Sequence, residues 1–151
     1  MDRRSLGRTG LRVSALALGT VELGMDYGLR GPGAHGRPAA ADAVRIIHAA
    51  LDRGVNLIDT APIYGAAEAL LGRALEGRRN QVVLATKVLP QTADGGALQG
   101  EALARHMRES LDSSLHLLRT DHVDLWQIHQ VDDALMNQAA TVADAFSAAK
   151  P

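Results

Sequence analysis

Val55-Asn56-Leu57-Ile58-Asp59-Thr60-Ala61-Pro62-Ile63-Tyr64-Gly65 is the stretch on which the fold of this chain turns. Val55 to Ile58 is a short, mainly apolar run, and a carboxylate, Asp59, closes it. A strand buried on both faces of a parallel sheet is apolar throughout, so charge belongs where such a strand emerges. Pro62 then forces a turn, and Tyr64 stands five positions beyond Asp59. An acid at a strand exit, with a phenol on the next loop, has the makings of a site. A plainer reading is equally open here: Asp59 caps a turn and Tyr64 is a half-buried loop aromatic.

Outward from this stretch the chain alternates strand and helix patterns. Before it, residues 40–53 place Val44, Ile47, His48 and Leu51 on one helical face, and Gly54 ends that helix. Ala15 to Gly19 is an earlier apolar strand. Residues 3–14 carry turn signals at Gly7 and Thr9-Gly10, which predicts a small hairpin. Downstream, a helix over about 66–76 turns Leu70, Leu71, Ala74 and Leu75 inward and stops at Gly77. Gln81 to Lys87 is the next strand, with Lys87 at its exit. A helix over 101–118 follows, striped by Leu103, Met107, Leu111, Leu115 and Leu118. His122 to His129 is a fourth strand, closed by His129, and Thr141 is placed to cap a last short helix bearing Val142, Ala145, Phe146 and Ala149. Alternation of this kind implies right-handed crossovers and a parallel sheet. The expected architecture is a single α/β domain over residues 1–151, four strand–helix units preceded by a hairpin.

Composition narrows the function. The chain has 151 residues, 46% of them hydrophobic, and a net charge of -1, which suits one domain with a real core and gives no basic footprint for nucleic acid. No apolar run approaches the ~20 residues of a membrane span. Met1 to Ser5 carries basic residues with no apolar segment behind them, so a signal peptide is not expected. The absence of cysteine leaves no disulfide framework or thiolate chemistry, and the default location is cytoplasmic. Gly31-Pro32-Gly33-Ala34-His35-Gly36 matches G-x-G-x-x-G literally, but it does not join a strand end to a helix start as a dinucleotide fingerprint must. Residues 20–40 read better as a long glycine-rich loop. The histidines lack ligand spacing, so no metal site is expected, and His48, His106 and His116 read as core-edge or rim residues.

Asp59, Lys87 and His129 each fall at the carboxyl end of a different strand, with Tyr64 on the loop after one of them. In parallel α/β sheets those ends open on one side, so four groups distant in sequence meet over one patch. A phenol with an ordinary pKa near ~10 is a poor proton donor or acceptor at neutral pH. A neighbouring ammonium favours the phenolate and makes the phenol a better acid. Lys87 is placed to do this for Tyr64, with Asp59 holding the ammonium and His129 orienting a substrate oxygen. Such a set suits delivery of a proton to a carbonyl oxygen while something else supplies a hydride.

Several segments resemble the aldo-keto reductases. They are Gly-Arg-Thr-Gly-Leu-Arg-Val-Ser (7–14), Leu-Gly-Thr (18–20), Asp-Thr-Ala-Pro-Ile-Tyr-Gly (59–65), Ala-Thr-Lys (85–87), the run from Ser110 to Leu125, and Gln-Ile-His (127–129). The resemblance covers most of residues 3–130. It implies a TIM-type (β/α)₈ barrel of which this chain holds the N-terminal half, since a full barrel takes roughly 250 residues. It implies NADPH-dependent carbonyl reduction with Asp59, Tyr64, Lys87 and His129 as the catalytic set. Gly19, Thr20 and Asp59 would border the nicotinamide. Glu68 matches an acidic residue of the family in the helix after the tyrosine, with a structural role.

Half a barrel leaves two unpaired edges and an uncovered inner face, and such surfaces invite pairing. Self-association, or a partner that completes the barrel, is therefore expected. Two further readings stay open: a cofactor-independent isomerase, dehydratase or cyclase using the same four residues, and a non-catalytic interaction module. The substrate would be a small carbonyl compound, touched by the 20–40 and 88–100 loops.

Overall fold

In the computed structural model, which describes residues 1–28, 36–92 and 94–150, the hairpin comes first. Strands β1 (Arg3–Ser5) and β2 (Arg12–Ser14) pair antiparallel, turning at Gly7 and Gly10, both with positive φ. The four apolar runs then become β3 (Ala17–Gly19), β4 (Leu57–Asp59), β5 (Val83–Val88) and β6 (Leu125–Ile128). They lie side by side in that order and all pair parallel. Helices α1 (Val21–Gly24), α2 (Ala40–Asp52), α3 (Ala67–Ala74), α4 (Gly100–Leu118), α5 (Asp133–Met136) and α6 (Ala139–Ala148) fill the connections. The expected hairpin and four-strand parallel sheet are both present, so the α/β half barrel is the fold.

Register fixes which residues share a face. Ile58 lies beside Leu84, Thr86 beside Trp126 and Val88 beside Ile128, and this face turns toward the helices. There Ile58 and Leu84 join Ala43, Ile47, Leu51, Leu70, Leu71 and Leu118 in one buried cluster. Burying an aliphatic side chain of this size contributes about 1.5–3 kcal/mol. A second cluster joins Val88, Leu103, Met107, Leu135 and Ala145, with Trp126 and Phe146 meeting edge to face at 4.8 Å. The opposite face carries Gly19 beside Asp59 beside Ala85 beside Leu125, and Lys87 beside Gln127. That alternation is what sends Asp59 and Lys87 to the inner, concave side.

Two of the strands, β4 and β6, start later than their apolar runs, because side chains take over the first residues. Asn56 Oδ1 accepts from the Ser14 backbone N–H at 2.6 Å, Asn56 Nδ2 donates to the Arg12 carbonyl at 3.0 Å, and the Asn56 N–H donates to Ser14 Oγ at 3.0 Å. The hairpin is thereby tied to the start of β4. At the start of β6, Arg79 donates to the His122 carbonyl and to Asp124 Oδ2, at 3.0 and 2.8 Å, and Asp124 Oδ2 also accepts from the Leu84 N–H at 2.8 Å.

Other boundaries differ from expectation. The 20–40 loop opens with one helical turn, α1, whose Leu23 and Gly24 N–H groups donate to the Thr20 carbonyl. Thr141 is not a cap: α6 begins at Ala139, two residues earlier. Gln138 sets that start, its side chain donating to the Leu98 carbonyl and accepting from the Gly100 N–H. Leu111 and Leu115 are only half-buried, whereas Ser114 on the same helix is closed from solvent. Residues 31–35 of the glycine-rich motif lie outside the described residues. Among those described, no helix is long and apolar enough to cross a membrane.

Candidate active site

Three of the four candidate residues are delivered by strand ends, and the fourth by the turn after one of them. Asp59 is the last residue of β4, Lys87 the last but one of β5, and His129 follows β6, its N–H donating to the Val88 carbonyl at 2.9 Å. Tyr64 sits in a tight turn between β4 and α3. Its N–H donates to the Ala61 carbonyl at 3.0 Å, and its own carbonyl accepts from the Ala67 N–H at 3.1 Å. That turn rests on α1: the Ala66 N–H donates to the Gly24 carbonyl at 3.0 Å.

The side chains converge on Lys87. Its Nζ donates to Asp59 Oδ1 and Oδ2 at 2.7 and 2.6 Å, to the Thr60 carbonyl at 3.0 Å and to Tyr64 Oη at 3.4 Å. An ammonium has three N–H donors and no acceptor, so these contacts use its whole capacity and hold it in one place. The Lys87 side chain is 16% exposed while that of Asp59 is 37% exposed, so water screens the carboxylate side of the pair. Lys87 Nζ also lies 5.1 Å from the centre of the Tyr64 ring. The Tyr64 and His129 rings meet edge to face, 5.8 Å apart and inclined at 76°.

Both His129 nitrogens are closed from solvent and have no hydrogen-bond partner among the described residues. Burial lowers the His129 pKa from its ordinary value, the Lys87 ammonium lowers it further, and the Asp59 carboxylate opposes them. The ring is therefore a neutral imidazole near pH 7, with one N–H to donate and one nitrogen to accept. A buried polar group without a partner calls for one, and a ligand oxygen or an ordered water would supply it.

This has a consequence for stability. The unfolded chain takes up a proton on this ring near the ordinary histidine value, about pH 6.5, and the folded chain resists it. The contribution is present in full above that pH and is lost as pH falls through the lowered folded value. Denaturant unfolding at pH 7.5, 6.5 and 5.5 is expected to show a smaller acid-side loss in His129→Gln than in the parent. Equal losses in the two proteins would mean that the ring carries no such penalty.

The residues read as cofactor-facing divide. Gly19, next to Asp59 across the strands, is exposed, and a Cβ built there meets nothing among the described residues within 4 Å, so the floor they form at the reacting end is open. Thr20 is fully buried, and its hydroxyl donates to the Asp59 carbonyl at 3.0 Å. Thr20 thus sets the strand end and offers no free donor. Glu68 is also buried, on the helix side of the sheet, where its Oε1 accepts from Thr86 Oγ1 at 2.7 Å. Two of the other histidines have plain partners: His48 Nε2 contacts the Ala74 carbonyl and His106 Nε2 the Leu89 carbonyl. The 88–100 loop and the residues after His129 border a cavity of about 310 Å³ between Pro90, Leu98, Gln130 and Leu135, which touches none of the four residues.

The Gly24 contact with the Tyr64 turn was not indicated by any sequence signal, because a glycine needed for space looks like one needed for a turn. The Glu68–Thr86 pair had a faint one, an acid among the apolar positions of α3.

Comparison with known proteins agrees with the fold. The sequence model described as the Aldo/keto reductase family matches residues 15–149. The chain is 39% identical over 142 residues to 6-dehydroglucose reductase of Novosphingobium aromaticivorans, a match covering 85% of this chain and 41% of that protein. Aldo-keto reductase AKR11C1 of Bacillus halodurans, in its holo form, superposes with a TM-score of 0.72 at 30% identity, over 99% of this chain and 47% of its own. An aldo-keto reductase of Klebsiella pneumoniae in complex with NADPH gives a TM-score of 0.65 at 26% identity, over 99% of this chain and 48% of its own. The chain thus spans less than half the length of these relatives.

Proposed function

The chain belongs to the aldo/keto reductase family, and from that premise we propose that it carries the proton-delivering half of an NADPH-dependent carbonyl reductase. The observation that carries this reading is the Lys87 ammonium, held by Asp59 at 2.6 and 2.7 Å and reaching Tyr64 Oη at 3.4 Å. Tyr64 gives its phenolic proton to the carbonyl oxygen of a small substrate. Lys87 stabilises the phenolate left behind, and Asp59 keeps the ammonium from swinging away. His129, a neutral ring with unpartnered nitrogens, hydrogen-bonds the same oxygen and orients it.

The residues fit the reacting end of a nicotinamide cofactor, on the evidence of the open floor at Gly19 beside Asp59. Gly19 and Asp59 would border the nicotinamide, with Thr20 fixing the strand end beneath it. When bound, the cofactor supplies the hydride. A complex with NADPH in the Klebsiella pneumoniae relative favours this choice.

The outer edges of β3 and β6 have no strand partner among the described residues. We infer that a second copy, or another protein, pairs with them and completes the cofactor site. Cofactor-free proton chemistry is the second reading, favoured by one fact: the described residues alone bring Asp59, Lys87, Tyr64 and His129 together.

NADPH titration by fluorescence, on protein whose mass in solution has been measured, tests both. Micromolar binding by a dimer is the expected result. No binding at millimolar NADPH would leave the four residues without a hydride source and would transfer the reading to cofactor-free chemistry.

A further inference from the structure

Glu68 is a carboxyl group in the wrong place for stability alone. It lies in the first turn of α3, 2% exposed, between that helix, β5 and α4. Among the described residues its only hydrogen bond of ordinary geometry is the one accepted by Oε1 from Thr86 Oγ1, at 2.7 Å. Oε2 and the Ser114 hydroxyl, both closed from solvent, lack such a bond. Burial raises the Glu68 pKa from its ordinary value, and the Thr86 and Ser114 hydroxyls only oppose that rise. An apolar residue of similar volume would carry none of this penalty.

The connectivity suggests what the carboxyl gives in return. Thr86 is the strand neighbour of Lys87, pointing to the other face. Glu68 is four residues after Tyr64, and the Ala67 N–H to Tyr64 carbonyl bond at 3.1 Å joins that turn to the helix. The Glu68–Thr86 bond therefore closes a short loop whose other side is the 3.4 Å contact between Lys87 Nζ and Tyr64 Oη. We propose that Glu68, through Thr86, is a positioning residue that sets the approach of Tyr64 to Lys87. This rests on the reductase reading for its kinetic consequence and on the fold alone for its structural one.

Two readouts keep these apart. The chain has two tyrosines, so in a Tyr27→Phe background Tyr64 is the sole tyrosine. A nuclear Overhauser cross-peak between its ring and that of His129 then reports the site without any turnover. Thr86→Val removes the donor while keeping the shape, and Glu68→Leu removes the acceptor. Both are expected to weaken the cross-peak severalfold and, with a misplacement of about 1 Å at the site, to lower kcat about 10- to 100-fold while KM for NADPH holds. Thr86→Ser and Glu68→Gln, which preserve the hydrogen bond, are expected to restore the cross-peak and to bring kcat within about threefold of the parent. A parental cross-peak in folded Thr86→Val would overturn the proposal. If the parent shows no reductase activity, the cross-peaks still decide the role of Glu68, and only the reductase reading fails.

Discussion

On the proposed reductase reading, Tyr64→Phe is expected to lower NADPH-dependent carbonyl reduction by about 10²- to 10⁴-fold, the range that a positioned proton donor contributes. The substitution is a clean one here. Phenylalanine keeps the ring that meets His129 edge to face at 5.8 Å, and it keeps the face that Lys87 approaches at 5.1 Å. What is lost is Oη, and with it one of the four contacts of the ammonium, the longest at 3.4 Å. Asp59 and the Thr60 carbonyl still hold Lys87, so neither charge is stranded. NADPH affinity and thermal stability should therefore stay close to parental while the rate collapses. Steady-state kinetics with NADPH and a series of small aldehydes and ketones, beside a thermal melt, would read this. A rate within tenfold of the parent would remove Tyr64 as the proton source.

How far the site was legible in the sequence depended on whether chemistry or space placed each residue. Asp59, Lys87 and His129 could be found because a buried parallel strand tolerates charge only where it emerges, so the end of each apolar run pointed to one. Side-chain clamps were harder to see. Asn56 looked like part of a strand, but its amide is taken up by Ser14 and Arg12, and β4 starts one residue later. Asp124 was hidden in the same way among the apolar residues of the fourth run, where it serves Arg79 and the Leu84 N–H. Thr141 had the chemistry of a cap, yet the contacts of Gln138 with Leu98 and Gly100, some 40 residues away, decided where the helix begins. Such long-range partners leave no local pattern. The same is true of bare space, and Gly24 shows how much can rest on it.

Gly24→Ala is expected to disturb fold and site together, and so to behave differently from Tyr64→Phe. Gly24 ends α1, and its bareness serves the neighbouring turn: a Cβ there would stand 1.9 Å from the Tyr64 carbonyl oxygen, 2.5 Å from the Ala67 nitrogen and 2.7 Å from Ala67 Cβ. Two of these are backbone atoms, one in the Tyr64 turn and one at the start of α3, which cannot rotate aside as a flexible side chain can. Gly65, at φ +60°, is bare for the matching reason, since its own Cβ would meet the Gly24 carbonyl oxygen at 2.5 Å. The two glycines let two backbones touch and let the Gly24 carbonyl accept from the Ala66 N–H at 3.0 Å. One added methyl must push α1 and the Tyr64 turn apart, an overpacking cost of about 1–3 kcal/mol, read as a fall of several degrees in Tm. The displacement carries Tyr64 with it, and a shift of about 1 Å at a reacting group costs about 10²-fold in rate. A melt and a rate assay on the same preparation separate the cases. Lost rate with parental Tm is the signature of a missing proton donor, whereas lost rate with lowered Tm is that of a displaced one. Parental values for both in Gly24→Ala would mean that the turn yields freely, and that the place of Tyr64 is set from the β5 side alone.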